Sequence, residues 1–540
     1  MKTYLKNILP AAAFLLAMGM TSCSSDLDVT PIDPNLQTGS KISSDNLLNK
    51  CYANLAVAGN GGANGDCDID GLDGGTTGFV RQLFNAYELT TDEAVCAWGD
   101  AGVSNFNESN YDASHPMLKG FYYRLYAGIG YCNQYINEYG SIDAQKTAEA
   151  RFLRAYQYSI LMDGWGNVPF STKVSSDKPA QIKRADLFKW IESELLDIES
   201  ALADAKPEKE GESGYGRVDK AADWLLLSRI YLNAEIYTGT ARWADAATYS
   251  KKVIDSPFKL YTTAQNGWSA YQQLFMGDNG TNGASVESLF SIIQDGKKTT
   301  SWGTTLFLMA GSNNGKENIK DESTLSNGTT EAWAGNRAKK QLVEKFFPND
   351  DAPSVSACKM PAIAGDDRAL IQSKGRNLEN TKEKEFTDGY TICKFNNFYA
   401  TYGTANDTQF PDCDLFILRA AEAYLTYAEA TARQNGGVAT ADGITYLNQI
   451  RQRAHASQKA GYSLSDICDE WSREFYFEGR RRMDLIRFNR YAGDVNYNWA
   501  WKGGTLSGRN IDKHYSLFAI PTTDITASNG HLTQNPGYGY

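Results

Sequence analysis

Apolar positions recur at helical spacing through two long parts of the chain. Leu187, Ile191, Leu195, Ile198 and Leu202 form one apolar stripe of the kind that seats a surface helix on a core. Ser44 to Val57 repeats the pattern with Leu47, Leu48, Cys51 and Leu55. Residues 116–205 read as mainly helical, interrupted by a turn at Asp163-Gly-Trp-Gly-Asn-Val-Pro-Phe170. Lys220–Ile236 and Trp243–Ile254 read as two helices joined by Thr238-Gly-Thr-Ala, and Asp414–Gln434 with Ile444–His455 as a second pair. The first pair, with small residues at its contacts, is like a tetratricopeptide hairpin, although no strict repeat length is visible. Between them, residues 257–413 are rich in Asn, Gly, Thr and Asp and hold no sustained period. Long irregular stretches of this kind are functional or disordered.

The charged stretch Trp471–Arg490 is read as one helix. Trp471, Phe475, Arg482 and Leu485 share a side, with Glu474, Glu478 and the arginines beside them. Glu478 stands four residues before Arg482, the favoured order for an ion pair, and Asp484 three before Arg487. Gly479 in mid-helix costs about 1 kcal/mol against alanine, which implies a close neighbour for its backbone. Arginine forks holding these carboxylates would lock neighbouring elements in register, and this reading is preferred to an acid/base pair.

Composition narrows the function. Of 540 residues, 42% are hydrophobic and 22% charged, ordinary for a globular protein. A net charge of −11 argues against nucleic acid as a partner. The four histidines have no metal-ligand spacing. Aromatics reach 12%, which supplies a large core, ring platforms for a ligand, or both. No GxSxG, P-loop, dinucleotide or zinc motif is present, and with 64 acidic residues chance carboxylate pairs carry no weight. Asp66, Asp68, Asp70 and Gly71 match the first half of a calcium loop, but position twelve is Thr77, so calcium is the lesser reading. Trp98, Trp302 and Trp333 lie among Gly, Ser, Thr and Ala, outside the helical stripes. Each is either buried under its loop or part of a stacking surface.

The start of the chain is a targeting segment. Lys2 and Lys6 precede an apolar run from Ile8 to Met20, too short to span a membrane. It ends in Met20-Thr-Ser-Cys23, which resembles a bacterial lipobox. Residues 1–22 are then a signal peptide, Cys23 carries lipid, and residues 23–40, with Pro31 and Pro34, form a tether. Asp26 and Asp28 are similar to acidic export signals of surface lipoproteins. The other eight cysteines are scattered without CxxC pairs, which suits buried thiols better than a disulfide framework.

Three segments resemble the SusD/RagB family of outer-surface glycan-binding lipoproteins. They are Arg473-Glu-Phe-Tyr-Phe-Glu-Gly-Arg-Arg-Arg-Met-Asp-Leu-Ile-Arg-Phe488, Glu149-Ala-Arg-Phe-Leu-Arg-Ala-Tyr156, and the close from Leu517-Phe-Ala-Ile-Pro521 through Gln534-Asn-Pro-Gly-Tyr538. The resemblance implies a mainly α fold over residues 41–540. Tetratricopeptide-like hairpins at about 116–256 and 414–490 would form the scaffold, and loops at about 59–115 and 257–413 the ligand face. It implies a binding protein without enzyme activity, anchored outside the outer membrane. It would capture starch or maltooligosaccharides for a SusC-like, TonB-dependent barrel, beside other surface glycan-binding lipoproteins and an amylase. Asp73, Arg81 and Trp98 match sugar-site positions of the family's starch-binding type, and Trp302 and Trp333 fall where it has aromatics. An asparagine of that site is Ala101 here, with Asp100 as the substitute. The alternatives are the same role for another glycan, a glycoside hydrolase fused to helical repeats, or a peptide-binding adaptor.

Overall fold

The computed structural model describes residues 42–65, 67–69 and 72–539. The signal segment, Cys23 and the tether lie outside these residues, as do Asp66, Asp70 and Gly71. Leu48–Tyr540 forms one unit. The principal helices are α1 (Ser44–Ala56), α2 (Phe79–Phe84), α3 (Pro116–Tyr139), α4 (Ala144–Gly164), α5 (Arg184–Ile198) and α6 (Lys220–Leu232). They continue with α7 (Trp243–Asp255), α8 (Thr305–Ala310), α9 (Ala420–Gln434), α10 (Ala441–Arg453), α11 (Leu464–Phe475) and α12 (Arg481–Arg487). Short strands β1 (Ala94–Cys96), β2 (Ser288–Ile292), β3 (Asn336–Ala338) and β4 (Leu415–Arg419) pair antiparallel as β1 with β3 and β2 with β4. The fold is mainly α, as the stripes predict.

Side chains written into the sequence set the helix starts. Asp143 caps α4, Asp219 caps α6 and Thr440 caps α10, each accepting orphan backbone N–H groups. Ser463 and Asp466 form a reciprocal capping box on α11. The predicted stripe is buried along its whole length, from Leu187 to Ile198 on α5 and at Leu202 just beyond it. Helices α3 and α4, α6 and α7, and α9 and α10 pack as antiparallel hairpins. Helix α7 also packs along α9, so hairpins far apart in sequence stack directly and residues 257–413 leave and rejoin the scaffold between them. The predicted helix from Asp414 begins instead as β4. Its Leu415 and Arg419 face Ile292 and Ser288 of β2 across the ladder. The four-residue apolar run Leu415–Leu418 suits a buried strand as well as a helix. No helix among the described residues is long and apolar enough to cross a membrane.

The stretch Trp471–Arg490 is not one helix. Helix α11 ends at Phe475, and the chain turns through Phe477 (φ 63°) and Gly479 (φ 76°) before α12. Glu478 therefore sits in the break and cannot pair with Arg482. It binds Arg419 at 2.8 Å through both carboxylate oxygens and Lys394 at 2.7 Å. Arg482 donates to the Tyr515 carbonyl at 2.9 Å. Gly479 does have its close neighbour. A Cβ there would lie 2.7 Å from Leu83 Cγ, and the left-handed backbone favours glycine.

The register-locking role of this segment is fully developed. Glu474 receives Arg419 at 2.6 Å, Arg368 at 3.3 Å, and Arg453. Glu287, beside β2, shares Nη1 of Arg419 with Glu474 and takes Nη1 of Arg453, each at 3.0 Å. Glu470 binds Arg368, Arg451 and Arg473, and Asp92 grips Arg481 through two 2.8 Å bonds. Asp484 pairs with Arg487 at 2.8 Å, as its spacing predicts. Burial alone would raise the Glu474 carboxyl, but Arg453, Arg419 and Arg368 hold it well below the carboxylate range. One helix thus clamps the irregular segment to the hairpins.

Candidate functional site

The β1–β3 ladder builds the site. It pairs Ala94 with Ala338 and Cys96 with Asn336, and its last bond runs from the Ala97 N–H to the Gly335 carbonyl at 3.0 Å. Trp98 and Trp333 leave this ladder side by side. The opposite edge of β1 is closed by Asn107, whose side chain bonds both the N–H and the carbonyl of Cys96. Trp302 arrives just before α8, and the far end of α8 receives the Trp333 N–H at the Ala310 carbonyl, 2.7 Å away. Gly78 and Gly303 let the start of α2 press against this turn. A Cβ on Gly78 would lie 2.7 Å from the Gly303 carbonyl oxygen.

The three rings form one continuous faceted surface with Trp333 in the middle. Its centroid lies 6.4 Å from that of Trp98 and 6.1 Å from that of Trp302, with tilts of 52° and 53°. Trp302 also meets Phe410 at 5.0 Å. All three tryptophans are half-buried, neither free nor core. Trp302 and Trp333 rest on Leu306, Ala310 and Phe410. Each indole N–H is already spent: Trp98 on the Trp333 carbonyl at 3.1 Å, Trp302 on the Ala63 carbonyl at 3.0 Å, and Trp333 on Glu331 at 2.7 Å. Gln409 holds the other oxygen of Glu331 at 2.8 Å. Orientation is therefore fixed from below, and what remains outward is ring surface.

Polar groups flank one end. Arg81 on α2 lies 5.4 Å from the Trp98 ring and 5.3 Å from Phe307. It makes one weak bond, to the Gly75 carbonyl at 3.4 Å, and its Nη2 stands 3.9 Å from the exposed Asp100 carboxylate. Its Nε finds no acceptor among the described residues. Burial pushes the guanidinium pKa down, against the pull of Asp100, but from a value so high that the charge stays. Asp73 is exposed and caps the turn Gly74–Thr77, accepting from Gly75 at 2.6 Å and Thr76 at 3.3 Å through one oxygen. Arg81, Trp98, Asp100, Trp302 and Trp333 are thus one connected set, with Asp73 joined through Gly75. Phe307, Phe410 and Glu331 complete it. Sequence reading missed them because their roles depend on neighbours distant in the chain.

No group of metal-ligating side chains occurs among the described residues. Asp68, the described aspartate of the calcium-like loop, is held instead by Arg124 at 2.7 Å and Lys50 at 3.0 Å. No disulfide joins any of the eight described cysteines to another.

The loop bearing Trp98 and Asp100 is pinned by His115. Its Nε2–H donates to the Gly102 carbonyl at 3.0 Å and its Nδ1 accepts the Leu118 N–H at 3.2 Å, which requires the neutral ring. Gly102 has φ 97°, and a Cβ there would meet the imidazole at 2.6 Å. Burial lowers the His115 pKa from 6.5 to about 4. An unfolded histidine takes up its proton near 6.5, so the stabilising contribution is complete above that pH. It is lost as pH falls toward 4, to a limit of about 3 kcal/mol. Melting temperatures of the wild type and His115→Gln should therefore converge between these pH values. Parallel curves would refute the assignment.

Residues 359–538 match the SusD family, and residues 27–232 match the family described as starch-binding associating with outer membrane. Over 578 aligned residues, covering all of both chains, the protein is 36% identical to the starch-binding protein SusD of Bacteroides thetaiotaomicron. The chain belongs to the SusD family. Among solved structures it is similar to surface glycan-binding protein A from Bacteroides fluxus, at 21% identity and TM-score 0.65, covering 92% of this chain and 99% of that one. It is also similar to surface glycan-binding protein A from B. thetaiotaomicron in complex with laminarihexaose, at 19% identity and TM-score 0.63, covering 91% and 98%.

Proposed function

We propose that this protein is a cell-surface lipoprotein that binds starch-type α-glucans and hands them to a SusC-like, TonB-dependent transporter, without cleaving them. The observation that carries the reading is the faceted surface of Trp98, Trp333 and Trp302, with every indole N–H spent inside the protein. A glucan presents a curved row of C–H groups, and tilted rings cover such a surface with apolar area. Arg81, Asp73 and Asp100 at one end are placed to bond hydroxyls and set orientation. The full-length identity to a starch-binding protein supports α-glucan as the ligand. Lipidation at Cys23 rests on the lipobox-like Met20-Thr-Ser-Cys23, and the transporter partner on family membership alone.

Native affinity gels containing starch, pullulan, laminarin, levan or xylan test the ligand. Retardation by starch and pullulan, with no products released from maltooligosaccharides, is the expected result. Retardation by laminarin, levan or xylan alone would replace α-glucan with another glycan, and product release would make the protein an enzyme. Cys23→Ala should leave the membrane fraction, and the wild type should co-purify with a large barrel protein. A mutant that stays in the membrane, or a protein recovered alone, would count against that part.

A further inference from the structure

A second concave site lies beside the tryptophan surface. Its cavity has a volume of about 480 Å³ and is lined by Trp268, Asn397, Phe398, Tyr399 and threonines of two loops. That size lies within the range of small-ligand sites, about 300–1,000 Å³. The Trp268 and Phe398 rings are stacked, with centroids 5.9 Å apart and planes 27° apart. Phe398 and Tyr399 are half-buried, and Tyr399 spends its hydroxyl on Asp412 at 2.9 Å, which leaves its ring as the surface offered.

Asn397 also lines the cavity. It is 3% exposed, and its Oδ1 accepts the Asp412 N–H at 2.9 Å, which fixes the amide orientation. Its Nδ2 is buried inside the protein and has no acceptor among the described residues. Thr330, Thr404 and Thr408 add hydroxyls, while Lys320 and Asp407 contribute one charge of each sign. Rings, hydroxyls and no net charge suit a neutral polyol with an apolar face.

We propose that this cavity is a second saccharide subsite, taking one or two pyranose rings. The same two loops run on into the tryptophan surface. Thr330 donates to the Thr408 carbonyl at 2.8 Å, and the next residues, Glu331 and Gln409, anchor Trp333. The inference leans on the glycan-binding reading only for its choice of probes.

Maltose, maltotriose, cellobiose and laminaribiose are titrated by calorimetry and by saturation-transfer NMR. The proteins are the wild type, Thr330→Arg, Phe398→Ala, and the triple variant Trp98→Ala/Trp302→Ala/Trp333→Ala. Thr330 is exposed on the cavity wall, so a long side chain there blocks the space without entering the core. A small saccharide should bind the triple variant still, and either cavity change added to it should weaken that binding by about tenfold or more. In the wild-type background, Thr330→Arg should remove one class of sites and leave the other. Loss of all binding in the triple variant with no change of stoichiometry in Thr330→Arg would overturn the subsite. Residual binding that neither cavity change moves would do the same. Unchanged starch retardation of the triple variant would instead refute the tryptophan surface, so the two failures are distinct.

Discussion

Trp333→Ala is expected to weaken glucan binding more than Trp98→Ala or Trp302→Ala. A ligand covering about 60 Å² of one ring gains around 1.5 kcal/mol at about 25 cal/mol per Å², which is roughly tenfold in affinity. Loss of Trp333 exceeds that figure because the other two rings lean on it. Both neighbours pack against the Trp333 ring, Trp98 at 6.4 Å and Trp302 at 6.1 Å between centroids. The outer changes should each cost about tenfold. Stability should fall by about 1–2 kcal/mol, since the rings are half-buried, less than the 3–5 kcal/mol of a core aromatic. Titration beside thermal melting reads both. Equal losses for all three, or lost binding explained by unfolding, would refute the central role of Trp333.

Glu474→Gln should destabilise the fold by about 3–5 kcal/mol while leaving every site residue in place. The amide keeps the shape but removes the charge that Arg368, Arg419 and Arg453 share, and none of these arginines can reach water. The damage should spread to Glu287, which holds two of the same arginines. Equilibrium denaturation measures it. A change below about 1 kcal/mol would mean that the network relaxes around the loss. A pair substitution replacing Glu474 and Arg453 together with apolar residues should recover part of the stability, because the cost lies in uncompensated charge.

The sequence was most legible where one period governs. The stripe from Leu187 to Leu202 names its buried face directly. It misled where a few residues override the period. Phe477 adopts a positive φ without being glycine, and no pattern in Trp471–Arg490 announces it. Leu415–Arg419 is too short for a period to separate strand from helix. At the site, all six expected residues fall in one neighbourhood. Their supports, Phe307, Phe410 and Glu331, were unreadable because a side chain's role as a floor depends on a partner hundreds of residues away. The aspartate of the calcium-like loop was misleading for the same reason, since Lys50 and Arg124 reach it from two other helices.

Because every indole N–H is spent within the protein, the rings make no directional bond to a ligand. A polymer displaced by one repeat presents them with the same C–H face. The bound state is then a family of equivalent alignments rather than a single pose. Its statistical weight grows with chain length, and ten alignments are worth about 1.4 kcal/mol without any new contact. A long glucan can also move along the surface one repeat at a time and need never let go entirely. Such a surface acts as a bearing, on which a captured chain stays held while its end is free to be drawn elsewhere.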